Sequence, residues 1–100
     1  MKRKIALVGF NEYKTIKRFF SKIAELVKPE QANFLIINAL HPDLFPQKNP
    51  PPWIAMFPTP HANWKTEAIL AFGAGAKMVC PWLGEDYARI ITRNINSNMS

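Results

Sequence analysis

One hundred residues, 48% hydrophobic and 20% charged, describe one globular domain with a modest core and exclude a disordered chain. No stretch approaches the roughly 18 apolar residues of a membrane span, and the single cysteine, Cys80, excludes an internal disulfide. The formal charge is +6 and sits unevenly, since residues 1–28 carry eight Lys/Arg against two acids while the remainder carries five of each sign. The chain is therefore expected to be a soluble, cytoplasmic domain spanning 1–100 that does not engage a membrane. Met1-Lys2-Arg3-Lys4 has the charge of a signal n-region, but the apolar run Ile5 to Phe10 is too short for an h-region.

In chain order, Ile5-Ala6-Leu7-Val8 is a continuous apolar run ending at Gly9, which suits a central strand followed by a turn. Asn11 is placed to cap a helix and Glu12 to complement its dipole. Ile16, Phe19, Phe20, Ile23, Leu26 and Val27 then share one face at a spacing of about 3.6 residues, opposite Lys14, Arg18 and Lys22. Pro29 closes this helix. Phe34 to Asn38 reads as the second strand, and with the first strand and helix it forms a βαβ unit. The segment His41 to Pro52 is rich in proline and reads as an irregular loop.

Trp53 to Phe57 gives a third strand, a helix begins near Asn63, Gly73 and Gly75 stop it, and Met78 to Trp82 gives a fourth strand. The last helix begins near Gly84, with Glu85 and Asp86 in its first turn and Arg93 in its last. Its expected buried stripe is Tyr87, Ile90, Ile91 and Ile95, and the polar tail from Asn96 is expected to fray. The alternation predicts a small doubly wound α/β fold, Rossmann-like or flavodoxin-like. Its mostly parallel sheet has four strands, accompanied by three helices. An order of 34–38, 5–8, 53–57, 78–82 would place the reversal of winding between the first and third strands. Gly9, Phe10 and Asn11 would then face Pro58 to Glu67 across a crevice at the strand carboxyl ends, where ligands bind in such sheets.

Glu67, a carboxylate in the first turns of the second helix, is the candidate catalytic residue, with His61 as an acid or base beside it. Trp64 or Phe10 would stack on a base, Asn11 or Asn63 would bond a ribose hydroxyl, and Gly9 with the first helix N-terminus would hold phosphate. The competing reading of Glu67 is a first-turn carboxylate serving the helix dipole, and of Trp64 a staple residue at the helix start. His41, His61 and Cys80 lack any paired ligand spacing, so no metal and no cofactor is expected. Cys80, inside an apolar strand, reads as an inert core thiol.

Trp64-x-x-Glu67, leading through a helix into a strand that ends Val79-Cys80-Pro81, resembles the TIR domain. The resemblance implies that Glu67 acts on a nicotinamide–ribose bond. The segment is also similar to nucleoside deoxyribosyltransferases, in the spacing of Glu67, Ala71 and Gly75 and in the opening strand ending Leu7-Val8-Gly9-Phe10. That resemblance implies a nucleophilic glutamate acting at an N-glycosidic bond, where a carboxylate stabilises or captures an oxocarbenium-like centre. Lys65 stands where TIR domains usually carry cysteine, and the Asp-x-Gly-Thr of the transferases is absent. The likeness covers about a third of the chain.

The expected partner is a nucleotide or NAD-like small molecule. The alternative is a small non-enzymatic binding protein of viral or accessory type, which sequesters a nucleotide signal, inhibits a protein, or grips nucleic acid through Lys14, Lys17, Arg18 and Lys22 with Lys2 to Lys4. A third hypothesis is a homo-oligomeric structural subunit that uses Trp53, Phe57, Trp64 and Trp82 in its contact.

Overall fold

The computed structural model describes residues 3–59 and 61–99, the side chains of Ile91 and of residues 94–99 excepted. In chain order the elements are β1 (Lys4–Val8), α1 (Lys14–Ile23), β2 (Glu25–Leu26), β3 (Phe34–Asn38), β4 (Trp53–Phe57), α2 (Trp64–Gly73), β5 (Met78–Pro81) and α3 (Glu85–Met99). Single 3-10 turns, Pro29–Gln31 and Pro42–Leu44, lie before and after β3.

All five strands run parallel in the order β2-β1-β3-β4-β5. The chain winds outward from β1 to β2, returns past β1, and winds the opposite way through β3, β4 and β5. The sheet is thus doubly wound, with its reversal between β1 and β3. Because side chains alternate across a strand, each strand feeds both faces. Phe34 and Ile36 of β3 join Ile54 and Met56 of β4 beneath Ile16, Phe19 and Phe20 of α1 and Ala88 of α3. Leu35, Ile37, Trp53, Ala55 and Phe57 point the other way, to a second cluster with Ala71 of α2 and Phe45 of the Pro-rich connection. That connection crosses the α2 face without a helix, and Phe45 stacks obliquely on Trp53 with ring centroids 5.1 Å apart. Continuous apolar runs such as Phe34–Asn38 are what a sheet covered on both faces requires.

The fold class agrees with the sequence; several details do not. The sheet has a fifth strand, Glu25–Leu26, at the edge beside β1. That strand takes the place expected for 34–38, which instead lies between β1 and β4. The helix α1 accordingly ends at Ile23, Ala24 is extended, and Pro29 opens the next 3-10 turn. The physical reason is the edge of β1: the backbone N–H of Glu25 and Val27 donate to the carbonyls of Arg3 and Ile5 at 2.8 and 3.0 Å. Leu26 still packs on the core from the strand, so little apolar burial is lost by leaving the helix.

Asn11 does not cap α1. With Glu12 it occupies the middle of a turn closed by the Tyr13 N–H on the Phe10 carbonyl at 3.0 Å, a place that suits asparagine. On α3 the buried residue is Ala88, Tyr87 packs partly, and Ile90 is 53% exposed. Ile91 and Ile95 lie outside the described side chains. The helix carries on past Ile95 to Met99, so Arg93 is not in its last turn. At the far end of α2, Gly75 takes φ +106 immediately after the helix, the left-handed stop that glycine permits.

Candidate functional site at the strand carboxyl ends

The turn leaving β1 requires a glycine. Gly9 has φ +85, and a Cβ there would stand 2.9 Å from Asn38 Cβ and from Leu44 Cδ1. Asn38, at the end of β3, is fully buried and ties the reversal point together. Its Nδ2 donates to the Gly9 carbonyl and its Oδ1 accepts from the Leu40 N–H, both at 2.9 Å. With Leu44 leaning over Gly9, the crevice between β1 and β3 is filled by the protein itself.

Two open spaces lie nearby, one at the ends of β4 and β5 and one between those ends and the start of α1. On the α2 face a cleft of about 490 Å³ is lined by Phe57, Thr59, His61, Trp64, Ala68, Phe72, Val79, Cys80, Pro81 and Leu83. Trp64, Ala68 and Phe72 follow one another down a single stripe of α2, at the i, i+4, i+8 spacing of a helix face. The His61 ring stacks on Phe57 with centroids 5.8 Å apart and planes inclined by 21°. The cleft is an apolar slot whose side-chain polar groups are the Thr59 hydroxyl, the His61 imidazole, the Trp64 indole N–H and the Cys80 thiol. Lys65 Nζ lies 5.7 Å from the Trp64 ring centroid, a cation–π approach. Cys80 contributes only bulk, because burial pushes its thiol up to about 12 and keeps it protonated. Tyr87 is raised as well, first by burial and then by the neighbouring Cys80.

On the other face a crevice of about 410 Å³ is lined by Glu12, Tyr13, Lys14, Thr15, Ile16, Pro58 and Trp82. It abuts the start of α1, where no side chain caps the helix and no acid occupies the first turn. The first helical bond of α1 runs from the Lys17 N–H to the Tyr13 carbonyl. The N–H groups of Lys14, Thr15 and Ile16 are consequently not spent inside the helix, and the dipole there favours an anion. The two spaces are separated only by the strand tips. Pro58 and Trp82 line the crevice, while their neighbours Phe57, Thr59, Pro81 and Leu83 line the cleft.

The candidates from sequence are thus divided. His61 and Trp64 meet in the cleft, with Asn63 exposed at the helix start beside them. Phe10 is 1% exposed and sits in the core in edge contact with Tyr13, so its ring has no face for a base. Glu67 lines neither space. It lies one turn along α2 from Trp64, with Oε2 enclosed and without a hydrogen-bond partner. Lys14, Lys17 and Arg18 line a shallow groove on the outer face of α1, with Ser21 and Leu26. Lys22 lies 3.9 Å from Glu85 of α3 in an exposed ion pair of little energetic weight. Lys2 lies outside the described residues. Of the proposed oligomer residues, Trp53 and Phe57 are core and Trp82 packs on Phe19 and Phe20, while Trp64 is exposed.

The contributions of Tyr13, Thr15, Phe72 and Leu83 escaped the sequence reading, although the Trp64-Ala68-Phe72 spacing was there to be seen. Among the described residues no group of three or more His, Cys, Asp or Glu could hold a metal ion, and no helix is long and apolar enough to cross a membrane. No family model matches the chain, and neither the curated proteins nor the solved structures contain a significant match to it.

Proposed function

We propose that this domain binds a nucleotide-like small molecule at the carboxyl edge of its sheet, a planar heterocycle in the α2 cleft and an anionic group at the start of α1. One observation carries the reading. An aromatic slot and an uncapped helix N-terminus converge on the tips of the same two strands, β4 and β5. Apolar slots with a few polar groups suit flat heterocycles, and helix N-termini suit phosphate. A ligand laid over Pro58 and Trp82 would engage both spaces. NAD-like dinucleotides belong to the same chemical class.

The reading is recognition without cleavage. Among the described residues no carboxylate lines the slot, so a heterocycle held there has no Glu67 oxygen among its contacts. Calorimetric titration with AMP, adenosine and inorganic phosphate tests the binding, with AMP expected to bind more tightly than either part. Trp64→Ala should weaken AMP and adenosine alike, and Lys14→Glu should weaken AMP and phosphate but spare adenosine. Equal, weak affinity for all three would sink the reading. Release of nicotinamide or free base by the wild type, and not by Glu67→Ala, would restore the enzymatic alternative.

A second reading rests on the groove of Lys14, Lys17 and Arg18, which fits a phosphate backbone. Its mark is affinity for nucleic acid that falls steeply with salt and is lost in a Lys14/Lys17/Arg18→Glu variant.

A further inference from the structure

The α2 helix is polar only in its first turn. From Ala68 to Gly73 it is apolar on every side, a pattern that belongs to a helix covered all round. Yet Ala71 alone is buried on it, while Trp64, Ile69, Leu70 and Phe72 are 53%, 72%, 48% and 54% exposed. Leu83, following β5, is 62% exposed and continues the same surface across the mouth of the cleft. β5 beside it is the outermost strand of the sheet. Leu70 points away from Phe72 round the helix, so the shared surface is that of Trp64, Ile69, Phe72 and Leu83, on the order of 500 Å² of apolar area against the roughly 800 Å² that each partner gives to a standard interface.

We propose that a second copy of this chain covers this face, packing α2 against its symmetry mate around a two-fold axis and closing the open side of the cleft. Charge selects this occupant. Between Trp53 and Gly84 the charged residues are Lys65, Glu67 and Lys77, and the two lysines stand at opposite ends of α2. The middle of the face is uncharged, so two copies meet there without repulsion despite a net charge of +6. The excess positive charge lies with α1 on the opposite side of the sheet, directed away from such a contact. A polyanion or an anionic membrane surface would find only Lys65 and Lys77 here, fewer cations than interfacial helices carry on their polar face. A two-fold axis perpendicular to α2 would set the two helices antiparallel, with opposed dipoles.

The test is the oligomeric state in the absence of any ligand, so that its outcome is separable from nucleotide binding. Sedimentation equilibrium should give a mass near twice 11.4 kDa at roughly 100 μM protein. Ile69→Asp, which alters a side chain that touches little within one copy, should leave the circular dichroism unchanged. It enters a symmetric contact twice and should weaken association by about 1,000-fold, giving a monomer. Ile90→Asp on α3, across the sheet, should leave the dimer intact. A wild type that stays monomeric overturns the proposal, as does a dimer that survives Ile69→Asp with its fold unchanged. Monomers that float with lipid vesicles through Ile69 and Phe72 would assign the face to a membrane surface and overturn it too.

Discussion

Replacing Asn38 tests the junction that holds the sheet's reversal point. Its side chain is fully buried and makes two hydrogen bonds of 2.9 Å, one to the Gly9 carbonyl and one from the Leu40 N–H. Asn38→Leu keeps the branched shape and the number of heavy atoms, with bulkier methyl groups, and removes both. The Gly9 carbonyl and Leu40 N–H then lose their partners in a half-buried setting, at about 1–2 kcal/mol each. The expected loss is therefore about 3 kcal/mol, a large share of the roughly 5–15 kcal/mol that such domains possess. For a chain of this size that lowers the thermal midpoint by about 12–24 °C. Asn38→Asp separates the two bonds, because it retains an acceptor for Leu40 and loses the donor to Gly9. Burial raises the folded pKa of the new carboxyl above its unfolded value, so the protonated acid can donate to Gly9 at low pH. Its stability is then present in full below the unfolded value near 3.9 and is lost as pH rises through the folded one. Thermal melts by circular dichroism between about pH 3 and 7 read both effects, referenced to wild type at each pH. An Asn38→Leu midpoint within a few degrees of wild type, or an Asn38→Asp deficit that does not change with pH, would refute the reasoning.

Gly9→Ala should cost about 2–3 kcal/mol, since it combines φ +85 with a Cβ 2.9 Å from Asn38 Cβ. Adding Leu44→Ala should not rescue it, and chemical denaturation of the pair checks this. Glu67→Met should raise stability by about 1 kcal/mol, because it removes an enclosed oxygen, Oε2, that has no donor; a drop of similar size in the melt would reveal a bond that the side chain makes. Cys80 should resist maleimide at pH 8 in the folded protein and react readily in denaturant. Its raised pKa makes a contribution to stability that is complete below the ordinary value of 9.0 and declines as pH climbs from there toward about 12. Cys80→Ala should flatten that decline in alkaline melts.

Much of the fold could be read from residue pattern. Apolar runs at 34–38 and 53–57 and the amphipathic stripe through Ile16, Phe19 and Phe20 reflect burial, and burial leaves its period in sequence. The strand Glu25–Leu26 could not be read, because Leu26 continues the helical spacing and is held in the sheet by backbone bonds to β1 that carry no side-chain signature. Missing it misplaced 34–38, which separates β1 from β4 where Gly9 to Asn11 were expected to face Pro58 to Glu67 directly. Phe10 looked available because it follows a glycine in a turn, yet its ring turns inward to the core cluster under α1. Trp64 and Glu67 are one turn apart on α2, yet Trp64 lines the cleft and Glu67 does not, a difference that spacing alone does not show. That His61 and Trp64 would lie at the carboxyl edge was legible because both belong to the short segment joining β4 to α2, which in any parallel sheet lies there.

The most direct measurement is an amide chemical-shift map of the isotope-labelled protein titrated with AMP. The expected result is two clusters of shifts, at 57–64 with 81–83 and at 12–16, with the first cluster abolished in Trp64→Ala and the second in Lys14→Glu. Shifts confined to the outer face of α1 at Lys17, Arg18 and Ser21, or none at millimolar AMP, would contradict a nucleotide site at the strand tips.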